Sequence, residues 1–289
     1  MRRAVSALLL LLWTSPLLAV QSPRLVVLAP HLVEQLYSIG AGGMIVGTVE
    51  HADYPLAAAA IPRVGNYAGL QLESILALKP DLVLFWQSGS PAAEISQLQR
   101  LGISTAGFEP KTLDDIATDL ERLGSLTGHQ AQASQQARAV RDRLAALRQQ
   151  YQQKKTVRVF YELWDEPLST IGAAAWPAQA LQLCGAANIF ADATAAYPQV
   201  SAEALLQRQP DLIVQPVSTT EPRRLTDYST RFASLKAVQL QQRAQPNADL
   251  LHRATIRTLD GVAELCQLID HSRQFYATKS GASPQPMPR

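Results

Sequence analysis

Two similar α/β lobes joined by a single long helix, with a cleft between the lobes, is the fold that the sequence predicts, and three observations carry it. Apolar runs of strand length alternate with helical patterns in both halves of the chain, the signature of a largely parallel sheet. The stretch LESILALKPDLVLF, 72–85, returns as AEALLQRQPDLIVQ, 202–215. One offset of 130 positions matches Tyr67 with Tyr197, Glu73 with Glu203, Pro80 with Pro210 and Asp81 with Asp211. Between the halves lies 130–153, rich in Ala, Gln, Arg and Leu and free of Gly and Pro.

In chain order, 25–28 is a short apolar run, and Pro30 follows where a helix tolerates proline at its first position. Leu32, Leu36 and Ile39 then fall on one helical face, and Gly40 is placed to end it. Strands are expected at 44–49, 82–85 and 103–108, and helices at 72–78, 92–101 and 112–124. The stretch 130–153, at 24 residues, would span roughly 36 Å as a helix, with Val140, Leu144 and Leu147 as its apolar stripe. A helix of that length crosses between domains more naturally than it fills one. The a/d heptads of a coiled coil do not persist through its glutamine-rich part.

After Lys154 and Lys155 the pattern restarts, with strands at 157–161, 188–190 and 212–214 and helices at 177–183, 202–207 and 253–272. QLCGAANIF, 182–190, echoes SIGAGGMIV, 38–46, more loosely. The expected organisation is a signal peptide at 1–19, a first α/β lobe at 20–110 and bridging helices, including the long one, at 111–155. A second α/β lobe follows at 156–276, and a Ser-, Gly- and Pro-rich disordered tail at 277–289.

Composition narrows the function classes. With 289 residues, 47% of them hydrophobic, the chain can bury two ordinary cores. A formal charge of +2, with basic residues scattered, gives no electrostatic footprint for nucleic acid. Arg2 and Arg3 precede an apolar 7–13 broken by Thr14, Ser15 and Pro16, with Ala19 offering a small residue to signal peptidase. This stretch falls short of the roughly 20 residues a membrane span needs. No cysteine follows it to take a lipid, so a freely soluble periplasmic protein is expected.

Cys184 and Cys266 are the only cysteines, and an even count in an exported chain points to a disulfide worth roughly 4 kcal/mol, against the alternative of two buried thiols. Neither has a CxxC or a histidine at ligand spacing, so no metal site is expected there. No GxSxG, HExxH or P-loop is present, and Gly40-Ala41-Gly42 ends a helix instead of opening one. The histidines at 31, 51, 129, 252 and 271 fall in separate elements and are expected to be isolated surface or core residues. An enzyme is the weaker class, and no catalytic residues are assigned.

The aromatics say more. Tyr54, Tyr67, Trp86, Trp164 and Tyr197 all fall where strands end or loops begin. Open α/β sheets bind ligands outside the carboxyl ends of their strands, in sites that are mostly apolar and aromatic. Any single ring could simply pack; five at one kind of position suggest a cleft for a large ligand with extended apolar faces.

Several segments together resemble the periplasmic cobalamin-binding proteins of ABC importers, across essentially the whole chain after the signal peptide. They are LAP at 28–30, ADYP at 52–55, Tyr67 with Glu73 and KPDLV, Trp86, CGAANIF, YPQVSAEALLQRQPD and the DLLHR that ends at Arg253. Those proteins belong to the helical-backbone class of substrate-binding proteins, whose members also serve haem, ferric siderophores and metals.

The resemblance implies that Tyr54, Tyr67 and Trp86 contact the corrin from the first lobe. From the second it implies Tyr197 and a residue of the 164–168 loop, with Trp164 the candidate. Asp249 and Arg253 would hydrogen-bond the amide arms; the plainer alternative is an i, i+4 surface pair at a helix start. Cobalamin would be cargo, with no resident cofactor. A monomer would deliver it to a two-fold symmetric permease, docking through Glu73 and Glu203, which otherwise merely complement helix dipoles. A haem, siderophore or metal-chelate carrier of the same class, or an exported metal-dependent enzyme, are the alternatives. A one-to-one corrinoid titration without added metal separates them.

Overall fold

A computed structural model describes residues 22–219 and 227–279. The expected signal peptide at 1–19 lies outside them, as does most of the expected tail.

The first lobe is a four-stranded parallel sheet, built from β1 (Leu25–Val27), β2 (Ile45–Thr48), β5 (Leu82–Trp86) and β6 (Thr105–Phe108) in the order β2-β1-β5-β6. A small hairpin, β3 (Gly65–Asn66) and β4 (Gly69–Leu70), precedes β5, and the helices are α1 (Pro30–Ser38), α2 (Leu72–Ala77) and α3 (Ala92–Arg100). The second lobe repeats the plan with β7 (Val157–Tyr161), β10 (Ala186–Asn188), β11 (Leu212–Val214) and β12 (Arg243–Ala244), in the equivalent order β10-β7-β11-β12, again all parallel. Its hairpin is β8 (Trp164–Asp165) with β9 (Leu168–Ser169), and its helices are α6 (Trp176–Leu183) and α7 (Ala202–Arg208).

The repeated sequence does the same structural work in each lobe. Lys79 and Gln209, each just before the repeated proline, both take left-handed backbone, at φ 47° and 41°. The next residue, Asp81 or Asp211, clasps the neighbouring strand: its carboxylate accepts from the amide of Arg24 at 2.7 Å or Arg158 at 3.1 Å. Each of those arginines returns hydrogen bonds to carbonyls at the end of the preceding helix, Leu78 in one lobe and Arg208 and Gln209 in the other. Gly40 and Gly185 complete the correspondence, since both end a helix with positive φ, 84° and 67°, a conformation other residues adopt at a cost.

The lobes are joined by a helical hairpin, α4 (Asp115–Thr127) and α5 (Gln130–Tyr151). The long helix runs 22 residues, two fewer than its pattern suggested, and buries Ala133, Ala137, Val140, Leu144, Leu147 and Tyr151 along one stripe. Bidentate pairing of Arg141 with Glu121, and Arg148 with Asp114, fastens the two helices side to side. Helix α4 also packs on α1, and α5 on α6 and on α11 (Thr258–Lys279), so one apolar core runs through both lobes and the bridge.

Three expectations need correction. The final helix starts at Thr258, not 253, because the 253–257 segment is held to the first lobe: Gln35 Nε2 donates to Ala254 O at 2.7 Å. It also continues through Lys279, so 277–279 are helical and not part of a disordered tail. Short helices α8 (Tyr228–Arg231), α9 (Lys236–Gln239) and α10 (Ala248–Leu251) were not anticipated, four residues being too few to show a period. Cys184, capping α6, and Cys266, within α11, form the expected disulfide across a Cα–Cα distance of 4.7 Å.

Candidate ligand-binding cleft

Because every strand in both sheets is parallel to its neighbours, each lobe presents its strand carboxyl ends along one edge. The segments leaving those ends, from both lobes, wall a cavity of about 410 Å³. Pro30 and His31 follow β1, His51 follows β2, Trp86 ends β5 and Pro110 follows β6; Leu163 follows β7, and Trp176, Tyr197, His252, Arg253 and Ala254 complete the second wall. Smaller depressions continue it: one shares Trp86 and adds Tyr67, another shares Arg253 and adds Asp53, Tyr54 and Asp249.

Tyr54, Tyr67, Trp86, Trp164 and Tyr197 are 46%, 81%, 40%, 53% and 54% exposed, and among the described residues they are all of the exposed Phe, Tyr and Trp side chains. Burial removes large apolar area from water, so five rings left in solvent at strand ends are the informative exception. Trp86 and Tyr197 line the main cavity, Tyr67 and Tyr54 its extensions, and Trp164 sits in the β8–β9 hairpin just beyond β7.

Asp249 and Arg253 do not behave as a simple surface pair. The Asp249 carboxylate accepts from Ser218 Oγ at 2.6 Å and from the Thr219 amide and hydroxyl at 2.9 and 2.8 Å, all in its own lobe. Arg253 crosses to the other lobe. Its Nη1 lies 3.0 Å from Glu34 Oε1 and 2.7 Å from Asp53 Oδ1, while Arg257 Nη1 reaches Glu34 Oε2 at 3.3 Å and its guanidinium lies 3.7 Å over the Tyr54 ring. Burial alone would raise the Asp53 pKa, but the hydrogen bond and charge of Arg253 reverse this and hold it below the ordinary value.

Histidines are the second correction at the site. Far from being isolated, His31, His51 and His252 share one cavity. His252 Nε2 and Tyr161 Oη are 2.9 Å apart, and His31 meets Trp86 edge to face with ring centroids 5.8 Å apart. Burial, with the nearby Arg253 charge second, lowers the His31 pKa to about 4, so its imidazole is neutral at physiological pH. The rule that selected the aromatics, position just past a strand end, also fits His31 and His51. Glu34 and Arg257 carried no sequence signal, because their partners lie across the interlobe seam, and Asp53 entered only as part of the ADYP stretch. Among the described residues no group of three or more His, Cys, Asp or Glu could hold a metal ion.

Glu73 and Glu203 line neither the main cavity nor its extensions and are exposed in the first turns of α2 and α7, Glu203 sharing a separate depression with Asp165, Glu166 and Pro167 of the second-lobe hairpin. The two helices start differently: Ser201 Oγ accepts from the Ala204 amide at 3.1 Å, whereas Gln71 provides no side-chain cap.

Comparison with known proteins places these features in context. The periplasmic binding protein family matches residues 25–243. The vitamin B12-binding protein of Vibrio cholerae serotype O1 is 39% identical over 257 residues, 88% of this chain and 92% of that protein. That of Yersinia pestis is 35% identical over 269 residues, 92% of each chain. The crystal structure of the periplasmic vitamin B12-binding protein BtuF of Vibrio cholerae superposes with a TM-score of 0.80 at 37% identity, covering 87% of this chain and 98% of that one. The heme-binding protein BhuT, solved with two hemes, reaches 0.78 at 19% identity over 87% of this chain and 99% of its own, a likeness of fold alone.

Proposed function

The chain belongs to the periplasmic binding protein family, and on that footing we propose that it captures cobalamin between its two lobes and delivers it to an inner-membrane ABC importer. The observation that carries this reading is that, of the five exposed Tyr and Trp rings among the described residues, Trp86 and Tyr197 line the interlobe cavity and Tyr54 and Tyr67 its extensions. A corrin is a broad ring with apolar faces and a periphery of amide arms. Tyr54, Tyr67 and Trp86 contact it from the first lobe, and Trp164 and Tyr197 from the second. Arg253 meets an amide arm directly. Asp249, whose carboxylate already holds Ser218 and Thr219, shapes the rim beside it.

The protein works by binding and not by catalysis, and cobalamin is cargo, not a cofactor. Export through a cleaved segment at 1–19 and action as a monomer fit this role. Glu73 and Glu203 support docking on a two-fold symmetric permease, because they are exposed and occupy equivalent helices of equivalent lobes. Calorimetric titration of the purified protein with cyanocobalamin, without added metal, tests the reading. One-to-one binding is expected; no binding of cyanocobalamin alongside tight binding of haemin would overturn it.

A further inference from the structure

Arg253 looks at first like a ready site for an anionic arm of the ligand, but its surroundings argue otherwise. Its Nη1 already serves Glu34 at 3.0 Å and Asp53 at 2.7 Å, and Nη2 lies 3.4 Å from the second Asp53 oxygen. Glu34 is further shared with Arg257. The Glu34 side chain is only 4% exposed, whereas that of Asp53 is 43% exposed and lines the depression at the cleft edge together with Arg253. Of the two carboxylates, Asp53 is the one an incoming ligand meets.

A carboxamide arm suits this arrangement on both sides. Its carbonyl accepts from the Arg253 N–H groups left over, and its amino group donates to Asp53. A carboxylate arm has no proton for Asp53 and sets a second negative charge beside it. The depression that Asp53 lines also holds the Asp249 carboxylate, a further negative charge facing a carboxylate arm, beside the paired Arg253 and Arg257.

We propose that Asp53, backed by Glu34 across the lobe seam, is a specificity-determining residue that admits tetrapyrroles with carboxamide peripheries and rejects those carrying carboxylates. This rests on the corrinoid reading and adds to it the peripheral chemistry that is excluded and the residues that exclude it. Rejection by a misplaced like charge is a common route to specificity, distinct from improving contacts to the favoured ligand.

The test uses cyanocobalamin, the three monoacids in which one propionamide has been hydrolysed, and the methyl ester of each acid. At neutral pH at least one monoacid should bind about 10-fold more weakly than cyanocobalamin, with its neutral ester recovering most of the loss. In Asp53→Asn the ratio between cyanocobalamin and that acid should shrink by a similar factor, whereas a merely structural role would move both ligands together. Monoacids that all bind like cyanocobalamin, an acid and ester that are equally weak, or a ratio unchanged in Asp53→Asn would each overturn the proposal. Should that variant fail to fold, the acid and ester comparison on the parent decides. Failure of cyanocobalamin itself to bind removes the corrinoid reading, which is a different outcome from binding without discrimination.

Discussion

The two lobes share a scaffold and differ at their rims. Both order four parallel strands alike, both place a left-handed residue before a proline, and both clasp the next strand with the following aspartate. At the cleft the resemblance stops. The first lobe contributes Tyr54, Tyr67 and Trp86 with the acceptors Glu34 and Asp53, and the second contributes Trp164 and Tyr197 with the cations Arg253 and Arg257. Repetition therefore maintains what must be built twice, and divergence gives the two lobes opposite charges that pair across their seam. Cross-linking differs too, because both cysteines are in the second lobe.

That last difference gives the largest expected effect. Replacing Cys184 and Cys266 together with alanine should lower the unfolding free energy by roughly 4 kcal/mol, since the bridge constrains an 82-residue separation in the unfolded chain. Hydrogen exchange should show α6 and α11 losing more protection than α1 and α3. Equal loss in both lobes would mean that the shared core couples them into one cooperative unit.

In the first lobe the corresponding weak point is acid. His31 in the folded protein has a pKa of about 4 against the ordinary histidine value of 6.5, so the unfolded chain takes up its proton first as pH falls. Stability from this residue is intact above 6.5 and is lost progressively between 6.5 and about 4, on the order of 3 kcal/mol in all. Denaturant titrations across that window should show the slope in the parent and a flatter one in His31→Gln. An unchanged slope would place the acid sensitivity elsewhere.

Trp86 sharpens the contrast at the rim, because its equivalent in the second lobe at the offset of 130 positions is Pro216, which carries no aromatic ring. Trp86→Ala should weaken cobalamin binding by about 2 kcal/mol while shifting the melting temperature little, as its ring is 40% exposed. Calorimetry giving parental affinity would remove it from the site; a collapse in melting temperature would mean its contact with His31 is chiefly structural.

How far the sequence reached follows the same division. The scaffold was legible because local periodicity and the repeat at Glu73, Pro80 and Asp81 report elements that are close in sequence. The rings were legible through their place after strands. What stayed hidden was set by distant partners: Glu34 meets Arg253 across 219 positions, and Gln35 anchors Ala254 and so delays the last helix to Thr258. A histidine read one element at a time looks isolated, and only the parallel order of the strands brings His31, His51 and His252 to a common wall.

The smallest effect on the isolated protein should come from Glu73 and Glu203, where the lobes also differ. Glu203 is held below the ordinary glutamate pKa by hydrogen bonds from its own backbone and from Ser201, so part of its role is to start α7. Glu73→Ala should therefore leave stability nearly unchanged, and Glu203→Ala should lower it slightly. Neither should alter cobalamin affinity, because both glutamates lie outside the cleft. Transport is the separate readout. If the pair docks on a two-fold symmetric permease, the double variant should slow uptake in reconstituted vesicles more than either single change. Raising salt should mimic it in association rate, as charges beyond roughly 10 Å are screened at 0.1 M. Parental uptake by the double variant would leave the two glutamates with no task beyond beginning two equivalent helices.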